Sequence, residues 1–359
     1  MDKRITIKVG TGVIFENEKL NSYFLRNLAK EVHKLKKENY QILIVSSGAI
    51  GLGMKKLSLK KKPNSLKKLQ ALASTGQVEL VKRYEKKFSK YGIKIAQLLL
   101  TRYDFAQKFS YINMEKTVNT LLDWGIVPII NENDAVAVEE IKFGDNDILA
   151  SLIASRMKCS KFIIFTNVDG LYVKGKKVEE IKDINENILS ECYGKSKFGT
   201  GGMLSKLEAA KIAQSSGVET VITSGKNVIY LSDIIKKKKN LGTTILPSKS
   251  LKTRKLWIRY CLKEKGEIVV DKGAEEAILK KGKSLLPSGI KNVKGEFLQG
   301  DVILILNEKK KIIGKGITNY SNDEISKIKG KKSQEIGKIL GYKKEDEVVH
   351  RDNMVVYNE

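Results

Sequence analysis

Cysteine and histidine are scarce in this chain of 359 residues, which holds three cysteines and two histidines. Cys159, Cys192 and Cys261 are odd in number, lie far apart and form no spacing typical of a metal site or a disulfide framework. His33 and His350 both lie outside the glycine-rich and polar clusters of residues 1–250. Free thiols are typical of a reducing compartment, so we expect a cytoplasmic protein.

Long apolar runs are also absent. No stretch approaches the roughly 18 apolar residues of a membrane span, and the chain starts with Met1-Asp2-Lys3-Arg4 rather than with the apolar core of a secretory signal. Hydrophobic residues make up 41% of the chain and charged residues 30%, a balance typical of soluble globular proteins. We therefore expect no membrane partner, and the length predicts two or three domains.

Arginine is rare beside lysine. The formal net charge is +26, but only eight of the 67 basic residues are arginines. Because arginine is the usual residue for nucleic-acid and bidentate phosphate contacts, the lysine excess is more typical of a solvated surface than of an RNA-binding face. Residues 266–359 hold 18 basic and 15 acidic residues, a net charge of +3, so most of the charge lies in the preceding residues. A positive field there would also favour small anionic substrates.

Residues 1–250 alternate between predicted strands and helices. The apolar patterns predict strands at 4–10, 41–45, 93–100, 125–130, 161–166, 220–223 and 242–246. They predict helices at 20–38, 66–88, 110–124 and 148–157, and a hairpin at 135–143. This alternation indicates an α/β fold in which a mostly parallel sheet is sandwiched between helices.

A second domain is predicted at 266–359, after a basic, irregular linker at 251–265. Its pattern consists of short strands and helices, at 267–270, 274–280, 302–306, 312–317, 333–340 and 355–357. Such a pattern is typical of a small, mostly β, barrel-like domain. His350-Arg351-Asp352 is similar to a protein-kinase triplet, but the surrounding kinase pattern is absent and we interpret it as structural.

Three glycines lie within four positions of the segment Gly199-Thr200-Gly201-Gly202-Met203-Leu204-Ser205-Lys206, just before a predicted helix. Glycine lets the backbone approach a ligand closely, and a helix N-terminus presents free N–H groups and a partial positive charge. This favours a phosphate site in which Lys206 contacts the same anion. The common P-loop spacing is absent. A flexible loop before an ordinary helix remains an equally good interpretation.

Polar residues also follow the carboxyl ends of several predicted strands, at Lys8, Ser47, Asp134 and Thr166. Each of them alone has a plain alternative as a solvent-facing or loop residue, and Asn146 alone fits a helix cap. Since the carboxyl ends of parallel strands lie along one edge of a sheet, and ligands of open α/β sheets bind there, the convergence favours an active-site crevice.

Five motifs then occur in one chain and in one order. They are Lys8-Val9-Gly10-Thr11, Ser46-Ser47-Gly48-Ala49-Ile50, Asn131-Glu132-Asn133-Asp134-Ala135-Val136, Gly144-Asp145-Asn146-Asp147 and the segment from Gly199 to Lys206. This set resembles the amino acid kinase family, and in particular its glutamate-phosphorylating members. The tail is similar to the C-terminal PUA domain of those members, through Gly273-Ala274, Gly282, Ser284-Leu285-Leu286-Pro287-Ser288-Gly289-Ile290 and His350-Arg351-Asp352. The resemblance spans essentially the whole chain.

The resemblance implies ATP-dependent phosphorylation of the γ-carboxylate of L-glutamate to γ-glutamyl phosphate, the first step of proline biosynthesis. Carried over position by position, Ser47, Asp134 and Asn146 would bind glutamate. ATP would be bound by Lys8, Thr166, Asn167, Thr200, Gly201, Gly202, Met203, Leu204, Ser205 and Lys206. The family usually has Asp at the position of Asn167, so this chain lacks one carboxylate near the nucleotide.

The predicted catalytic residues are Lys8, Lys206 and Asp147. The two lysines would flank the transferred phosphoryl group, and Asp147 would hold both ammonium groups in place. A carboxylate is already a nucleophile, so the reaction needs no general base, in keeping with the scarcity of histidine. Mg²⁺ would bridge the β- and γ-phosphates, and no residue is assigned as a metal ligand.

The resemblance further implies a homo-oligomer, feedback inhibition by proline and hand-off of the product to a glutamate-5-semialdehyde dehydrogenase. Two alternatives stay open. The first is another acyl or carbamoyl kinase of the same fold, because fold alone does not separate these substrates. The second is an RNA-binding protein that acts through the C-terminal domain, although the small net charge of residues 266–359 weakens this interpretation.

Overall fold

The computed structural model describes residues 3–16, 19–137, 146–185, 188, 202–248 and 252–357. The chain separates into two compact units, Met1–Ser250 and Leu251–Glu359. Each unit has a hydrophobic core of its own.

The first unit contains an eight-stranded sheet and two hairpins. Its strands are Arg4–Val9 (β1), Phe15–Glu16 (β2), Lys19–Leu20 (β3), Gln41–Ser46 (β4), Ile95–Leu100 (β5), Val127–Glu132 (β6), Lys161–Thr166 (β7), Leu171–Val173 (β8), Lys176–Val178 (β9), Glu180–Ile181 (β10), Glu219–Ser224 (β11) and Thr243–Ile245 (β12). The large sheet has the order β10-β12-β11-β7-β1-β4-β6-β5, and β2–β3 and β8–β9 form the hairpins. All neighbouring pairs in the large sheet are parallel except β11 and β12.

The helices described in the first unit carry the apolar faces that cover the sheet. They are Thr11–Ile14 (α1), Ser22–Lys37 (α2), Ala49–Lys56 (α3), Leu66–Phe88 (α4), Arg102–Ala106 (α5), Lys108–Asp123 (α6), Asn146–Arg156 (α7), Met203–Ser215 (α8) and Leu231–Ile235 (α9). In α2, Phe24, Leu28 and Val32 follow helical spacing and are buried, and each such side chain contributes about 1.5–3 kcal/mol. The predicted α/β fold with a mostly parallel sheet is confirmed.

Helices α3 and α4 are in backbone contact. A Cβ added to Gly53 would lie 2.0 Å from the carbonyl oxygen of Leu72, and one added to Gly76 would lie 1.8 Å from that of Ala49. No side chain fits at either glycine, so the two helices pack as one rigid pair.

The second unit is rich in β-structure, as predicted. Its strands are Glu264–Val270 (β13), Ile290–Gly295 (β14), Val302–Leu306 (β15), Ile312–Ile317 (β16) and Met354–Val356 (β17), and they form one sheet in the order β14-β13-β15-β16-β17. Its described helices are Thr253–Tyr260 (α10), Lys272–Lys281 (α11), Asn322–Ile328 (α12) and Ile336–Leu340 (α13). Ile268, Ile303, Ile305 and Tyr320 are fully buried in its core.

Some elements differ from the sequence patterns. Helix α10 and the start of β13 occupy the stretch that was interpreted as an irregular linker, because Ile258 is fully buried and this helix packs on β17. Strand β14 was missed because Ile290 is its only buried residue. The hairpin predicted at 135–143 lies largely outside the described residues. His350 caps a short 3-10 helix at Arg351–Asn353, where the Asp352 N–H donates to Nδ1 of His350 at 3.2 Å.

No helix among the described residues is both long and apolar enough to cross a membrane. Cys159 and Cys261 are buried, while Cys192 lies outside the described residues.

Candidate active site

A cavity of about 530 Å³ lies at the carboxyl ends of four neighbouring strands of the large sheet, β7, β1, β4 and β6. Seven residues that the sequence proposes for the site line it, namely Lys8, Ser47, Asp134, Asn146, Thr166, Asn167 and Lys206. The N-terminal ends of α1 and α3, at Gly10–Gly12 and Gly48–Gly51, form further parts of its wall. The parallel register brings these strand ends together, since Val9 pairs with Ser46 on one side and with Phe165 on the other.

One buried carboxylate joins two lysines beside this cavity. Nζ of Lys8 lies 2.6 Å from Oδ1 of Asp147, and Nζ of Lys206 lies 3.0 Å from Oδ2 of the same residue. Asp147 is fully buried, and Lys8 and Lys206 are 3% and 6% exposed. The three residues are far apart in the sequence and meet only through the fold.

Two effects of opposite sign act on the pKa of Asp147. Burial alone would raise the pKa of the Asp147 carboxyl, but the ammonium groups of Lys8 and Lys206 outweigh it, so the pKa lies below its ordinary value. Asp147 is therefore ionised at neutral pH. The carboxylate thus holds both ammonium groups beside the cavity, where they suit an anionic ligand.

Each member of the cluster is held by a different element. Lys8 lies one residue before the end of β1, where the Gly10 N–H donates to the carbonyl of Phe165 at 3.1 Å. Asp147 lies in the first turn of α7, and Lys206 lies in the first turn of α8. Helices α7 and α8 pack directly against each other. The positions therefore depend on two helix N-termini that meet at the edge of the sheet.

A second polar network surrounds Asn146. Its Nδ2 lies 3.0 Å from Oγ of Ser47, 3.1 Å from the carbonyl of Ser46 and 2.8 Å from Oδ1 of Asn131. An amide group has two N–H donors, so these acceptors hold it firmly in one orientation. Its Oδ1 is buried and has no hydrogen-bond partner among the residues that the structure describes. That oxygen is available as an acceptor for a ligand bound in the cavity.

The turn after β4 shapes the wall beside Ser47. The Ser47 N–H donates to the carbonyl of Val9 at 3.2 Å, which ties the turn to β1. Gly48 caps α3 at φ +105°, in the left-handed region that favours glycine. A Cβ at Gly48 would also lie 3.1 Å from the ring of Phe15. A larger residue would displace Ser47 and the N-terminus of α3.

Asn167 lies against Gly12 of α1, the short helix after β1. A Cβ added to Gly12 would lie 2.2 Å from Nδ2 of Asn167, so the amide occupies the space that a side chain at position 12 would need. A second cavity of about 560 Å³ adjoins this place, and its lining shares Gly12, Thr166 and Asn167 with the first. Together the two cavities offer room for a ligand larger than either would hold.

The glycine-rich segment is described only in part. Thr200 and Gly201 lie outside the described residues. Gly202 precedes α8, and Met203, Leu204 and Ser205 form its start, all of them half-buried. Oγ of Ser205 donates to the carbonyl of Gly202 at 2.9 Å and lies 3.4 Å from Oδ2 of Asp147. The helix predicted after this segment is confirmed.

Several residues of the site received no individual role from the sequence. Asn131 is buried and connects Asn146 to Gln77. Nδ2 of Asn131 donates to Oε1 of Gln77 at 2.8 Å. Tyr84 donates to Oγ of Ser46 at 3.0 Å, and burial raises its pKa. Asn131 stands inside a quoted motif and could have been singled out. Gln77 and Tyr84 lie within α4, where no local pattern marks them.

Among the residues described, no group of three or more His, Cys, Asp or Glu side chains is placed to hold a metal ion. Two carboxylates, Glu132 and Asp134, nevertheless line the cavity. They are oxygen ligands of the kind that Mg²⁺ prefers, and Mg²⁺ commonly keeps several waters and uses few protein ligands.

Comparison with known proteins places this site in context. The model of the amino acid kinase family matches residues 3–224, and the PUA domain model matches residues 266–340. The chain is 46% identical over 363 residues to a glutamate 5-kinase of Caldanaerobacter subterraneus subsp. tengcongensis, covering 98% of this chain and 97% of that protein. It is 41% identical over 364 residues to a glutamate 5-kinase of Geobacter sulfurreducens, covering 99% and 97%.

Among solved structures, a carbamate kinase from Giardia lamblia bound to AMP-PNP matches with a TM-score of 0.49 and 18% identity. It covers 68% of this chain and 98% of the other.

Proposed function

The chain belongs to the amino acid kinase family, and we propose that it transfers the γ-phosphoryl group of ATP to the γ-carboxylate of L-glutamate, giving γ-glutamyl phosphate and ADP. One observation carries this proposal. Asp147 holds the ammonium groups of Lys8 and Lys206 beside a cavity whose lining also includes Ser47, Asp134 and Asn146. The long matches to glutamate 5-kinases support the choice of glutamate.

The nucleotide is assigned to the side of the cavity that joins β1, β7 and α8. Its phosphates would be held by Lys8, by Lys206 and by the segment from Thr200 to Ser205, whose last three residues begin α8 and present their N–H groups. Thr166 and Asn167 line both adjoining cavities, so they are suited to contact the remainder of the nucleotide. Asn167 fills the space beside Gly12. This packing depends on the size of the side chain, so an amide provides it as well as the carboxylate usual at this position.

Glutamate is assigned to Ser47, Asp134 and Asn146. The carboxylate of Asp134 and the free Oδ1 acceptor of Asn146 suit the α-ammonium group of a free amino acid. The hydroxyl of Ser47 and the backbone N–H groups at the start of α3 suit a carboxylate. An acetylated amino group would lose the charge that Asp134 recognises and would add bulk.

Transfer then needs position and charge more than covalent catalysis. An oxygen of the γ-carboxylate attacks the γ-phosphorus, the new O–P bond forms, and the bond to the oxygen of ADP breaks. Lys8 and Lys206 stabilise the equatorial oxygens of the transferring group in a water-poor site. Asp147 acts as a positioning residue, because it contacts the two lysines rather than the substrates.

Mg²⁺ bound with the nucleotide would neutralise phosphate charge between the β and γ positions. With Asp134 assigned to glutamate, Glu132 is the described carboxylate of the cavity that would fit such an ion, directly or through water. The contribution of the chain itself is to hold the two lysines in place and to present these oxygens.

The proposal extends to the setting of the reaction. An acyl phosphate is a reactive mixed anhydride, so hand-off to a glutamate-5-semialdehyde dehydrogenase would protect it from water. Proline, which carries an ammonium and a carboxylate as glutamate does, is the proposed feedback inhibitor. A homo-oligomer in the cytoplasm and domain limits at 1–250, 251–265 and 266–359 complete the proposal.

A substrate panel tests the proposed function. Purified protein is incubated with ATP, Mg²⁺ and either glutamate, N-acetylglutamate, aspartate or carbamate, with hydroxylamine present to trap acyl phosphate. We expect turnover with glutamate and none with N-acetylglutamate. Comparable turnover of these two substrates would contradict the assignment of Asp134 to a free ammonium group.

A further inference from the structure

A third cavity, strongly basic and about 690 Å³ in volume, lies beside α2, α3 and α4. Five basic side chains line it, with one acidic side chain, Glu79; the basic ones are Lys55, Lys56, Arg83, Lys86 and Lys87. None of the residues that line this basic cavity lines the candidate active site. Its volume lies within the range of roughly 300–1,000 Å³ that is usual for small-molecule sites.

The positive charge of the basic cavity is poorly compensated. Glu79 forms an ion pair with Arg83, one helical turn away on α4. The four lysines have no carboxylate within ion-pair distance among the residues that the structure describes. Pairing the single acid with the arginine therefore leaves four ammonium groups around one depression in the surface.

Lys87 is the most constrained of these groups. Its Nζ lies 2.6 Å from Oγ of Ser22, at the start of α2. The pKa of Lys87 is lowered, mainly by partial burial. The nearby positive charges lower it further, those of Lys90, Arg26, Lys86 and Arg83. A bound anion would relieve this repulsion, because it supplies the opposite charge that the neighbouring side chains lack.

The wall of the basic cavity also has an apolar part. Leu52 is 3% exposed and Leu20 is half-buried, and both contribute to the lining. A cavity with apolar side chains beside several cations fits a compact ligand that carries several negative charges better than it fits an extended macromolecule. We propose that the basic cavity between α2, α3 and α4 binds a small polyanion with two or more phosphate or carboxylate groups.

Helix α3 connects this proposed site with the active site. Ala49, Ile50 and Met54 of α3 line the candidate active site, whereas Lys55 and Lys56 of the same helix line the basic cavity. The tight contact of α3 with α4 at Gly53 and Gly76 leaves little room for either helix to yield alone. Binding of a polyanion would therefore act on the turn that carries Ser47, and its expected effect is a changed KM for glutamate.

Isothermal titration calorimetry of the full chain tests the site, with inorganic pyrophosphate and citrate as separate probes. Saturating AMP-PNP is present throughout, so that the phosphate region of the active site is already occupied. The variant K55Q/K87Q removes two charges from the basic cavity. The matched control K30Q/K37Q removes two exposed charges from α2 that do not line it. Turnover without added probe is measured for all proteins.

We expect saturable binding that weakens by at least about tenfold in K55Q/K87Q and little in the control, since two charge-assisted contacts are lost. Binding of pyrophosphate alone would identify a phosphate ligand, and binding of citrate alone a polycarboxylate. No saturable binding, or an equal loss in both variants, would overturn the proposed site. Because K55Q/K87Q leaves the catalytic residues intact, its turnover without probe is expected to match that of the control.

The same proteins test the connection through α3. The KM for glutamate is measured with and without the probe that binds. A shift in the wild-type chain that disappears in K55Q/K87Q is expected. An unchanged KM at saturating probe would overturn the connection. Loss of all glutamate turnover in the unmodified chain would contradict the proposed function instead, while the calorimetric result would still decide the site.

Discussion

Lys206 and Asp147 are 59 positions apart in the sequence, yet Nζ of Lys206 lies 3.0 Å from Oδ2 of Asp147 in a buried site. Lys8 occupies the other oxygen of the same carboxylate. An ammonium group fixed in this way needs no reorganisation when charge shifts during phosphoryl transfer. The geometry makes Lys206 the residue whose removal should separate catalysis from glutamate binding most clearly.

We expect Lys206→Ala to lower kcat by about 10²- to 10³-fold, the usual cost of removing one fixed donor from a transition-state site. The KM for glutamate should change little, because the proposed glutamate contacts lie elsewhere. Lys211→Ala, five residues further along α8, is the control and should keep its kcat. Steady-state kinetics on the folded variants measure both effects. An unchanged kcat in Lys206→Ala would remove this lysine from the mechanism.

Asp147→Asn keeps the shape of the side chain but removes the carboxylate that contacts two buried ammonium groups. Removing one partner of a buried ion pair costs about 3–5 kcal/mol, which corresponds to a fall in Tm of at least about 5 °C. AMP-PNP should restore part of this loss, because its phosphates bring negative charge to the same ammonium groups. Thermal unfolding with and without AMP-PNP measures the difference.

Asp169→Asn is the matched control for that experiment. Asp169 pairs with Lys177 at 3.0 Å, but both side chains are exposed to solvent, and such pairs contribute only about 0–1 kcal/mol. The prediction for Asp147 would be contradicted if both variants lost the same small amount of stability, or if AMP-PNP stabilised them equally.

Asn146→Ala removes the amide that holds Ser47 and Asn131 together and offers Oδ1 to a ligand. We expect the KM for glutamate to rise by about 10- to 100-fold, since a hydrogen bond to a charged group contributes roughly 1.5–3 kcal/mol. The KM for ATP should stay near its original value. Asn27→Ala, on the surface of α2, serves as control. A rise in the KM for ATP alone would move Asn146 to the nucleotide side.

Gly12→Ala would place a methyl group in the space that the amide of Asn167 occupies, only 2.2 Å from its Nδ2. Asn167 would have to move, so we expect a higher KM for ATP. Asn167→Ala alone should also raise this KM, because Asn167 is proposed to contact the nucleotide. Once the amide is gone, Gly12→Ala should cost little more, so the loss in the double variant should be smaller than the sum of the two single losses, as kinetics on the full cycle measure. Additive losses would show that position 12 acts without Asn167.

The sequence predicted the strand ends well because each is marked locally, by an apolar run followed by small or polar residues. Parallel pairing then brings Lys8, Ser47 and Thr166 to one edge without further information. The roles of Gln77 and Tyr84 were not predictable in this way. Both lie in a regular helix, and they reach the site only because the fold places α4 beside Asn131 of β6 and Ser46 of β4.

In the predicted linker, the sequence pattern missed a helix. Residues 251–265 are basic, and composition favoured an irregular segment, yet α10 forms there and buries Ile258. A short helix of this kind is stabilised by contacts with distant strands rather than by its own propensity. Local sequence patterns do not predict contacts with distant strands. For the same reason they did not predict the exposed edge strand β14.

The division into two units leads to a prediction about the tail. Every residue that lines the candidate active site precedes position 207, and the first unit extends to Ser250. We expect a protein that ends at Ser250 to retain ATP- and glutamate-dependent turnover, measured with the hydroxylamine trap. The position of the cut matters, because Gln214 of α8 donates to the carbonyl of Leu246 at 2.8 Å and accepts from the Ser248 N–H at 3.1 Å.

A protein that ends at Asn240 is the control for this cut. It loses β12, which pairs with β10 and β11, and it also loses the contacts to Gln214 that hold the C-terminal end of α8. We expect this shorter protein to unfold at a lower temperature and to lose activity, while the longer one keeps both its folding transition and its turnover. A folded protein ending at Ser250 with no turnover would show that the second unit completes the active site, and the assignment of catalysis to the first unit alone would then fail.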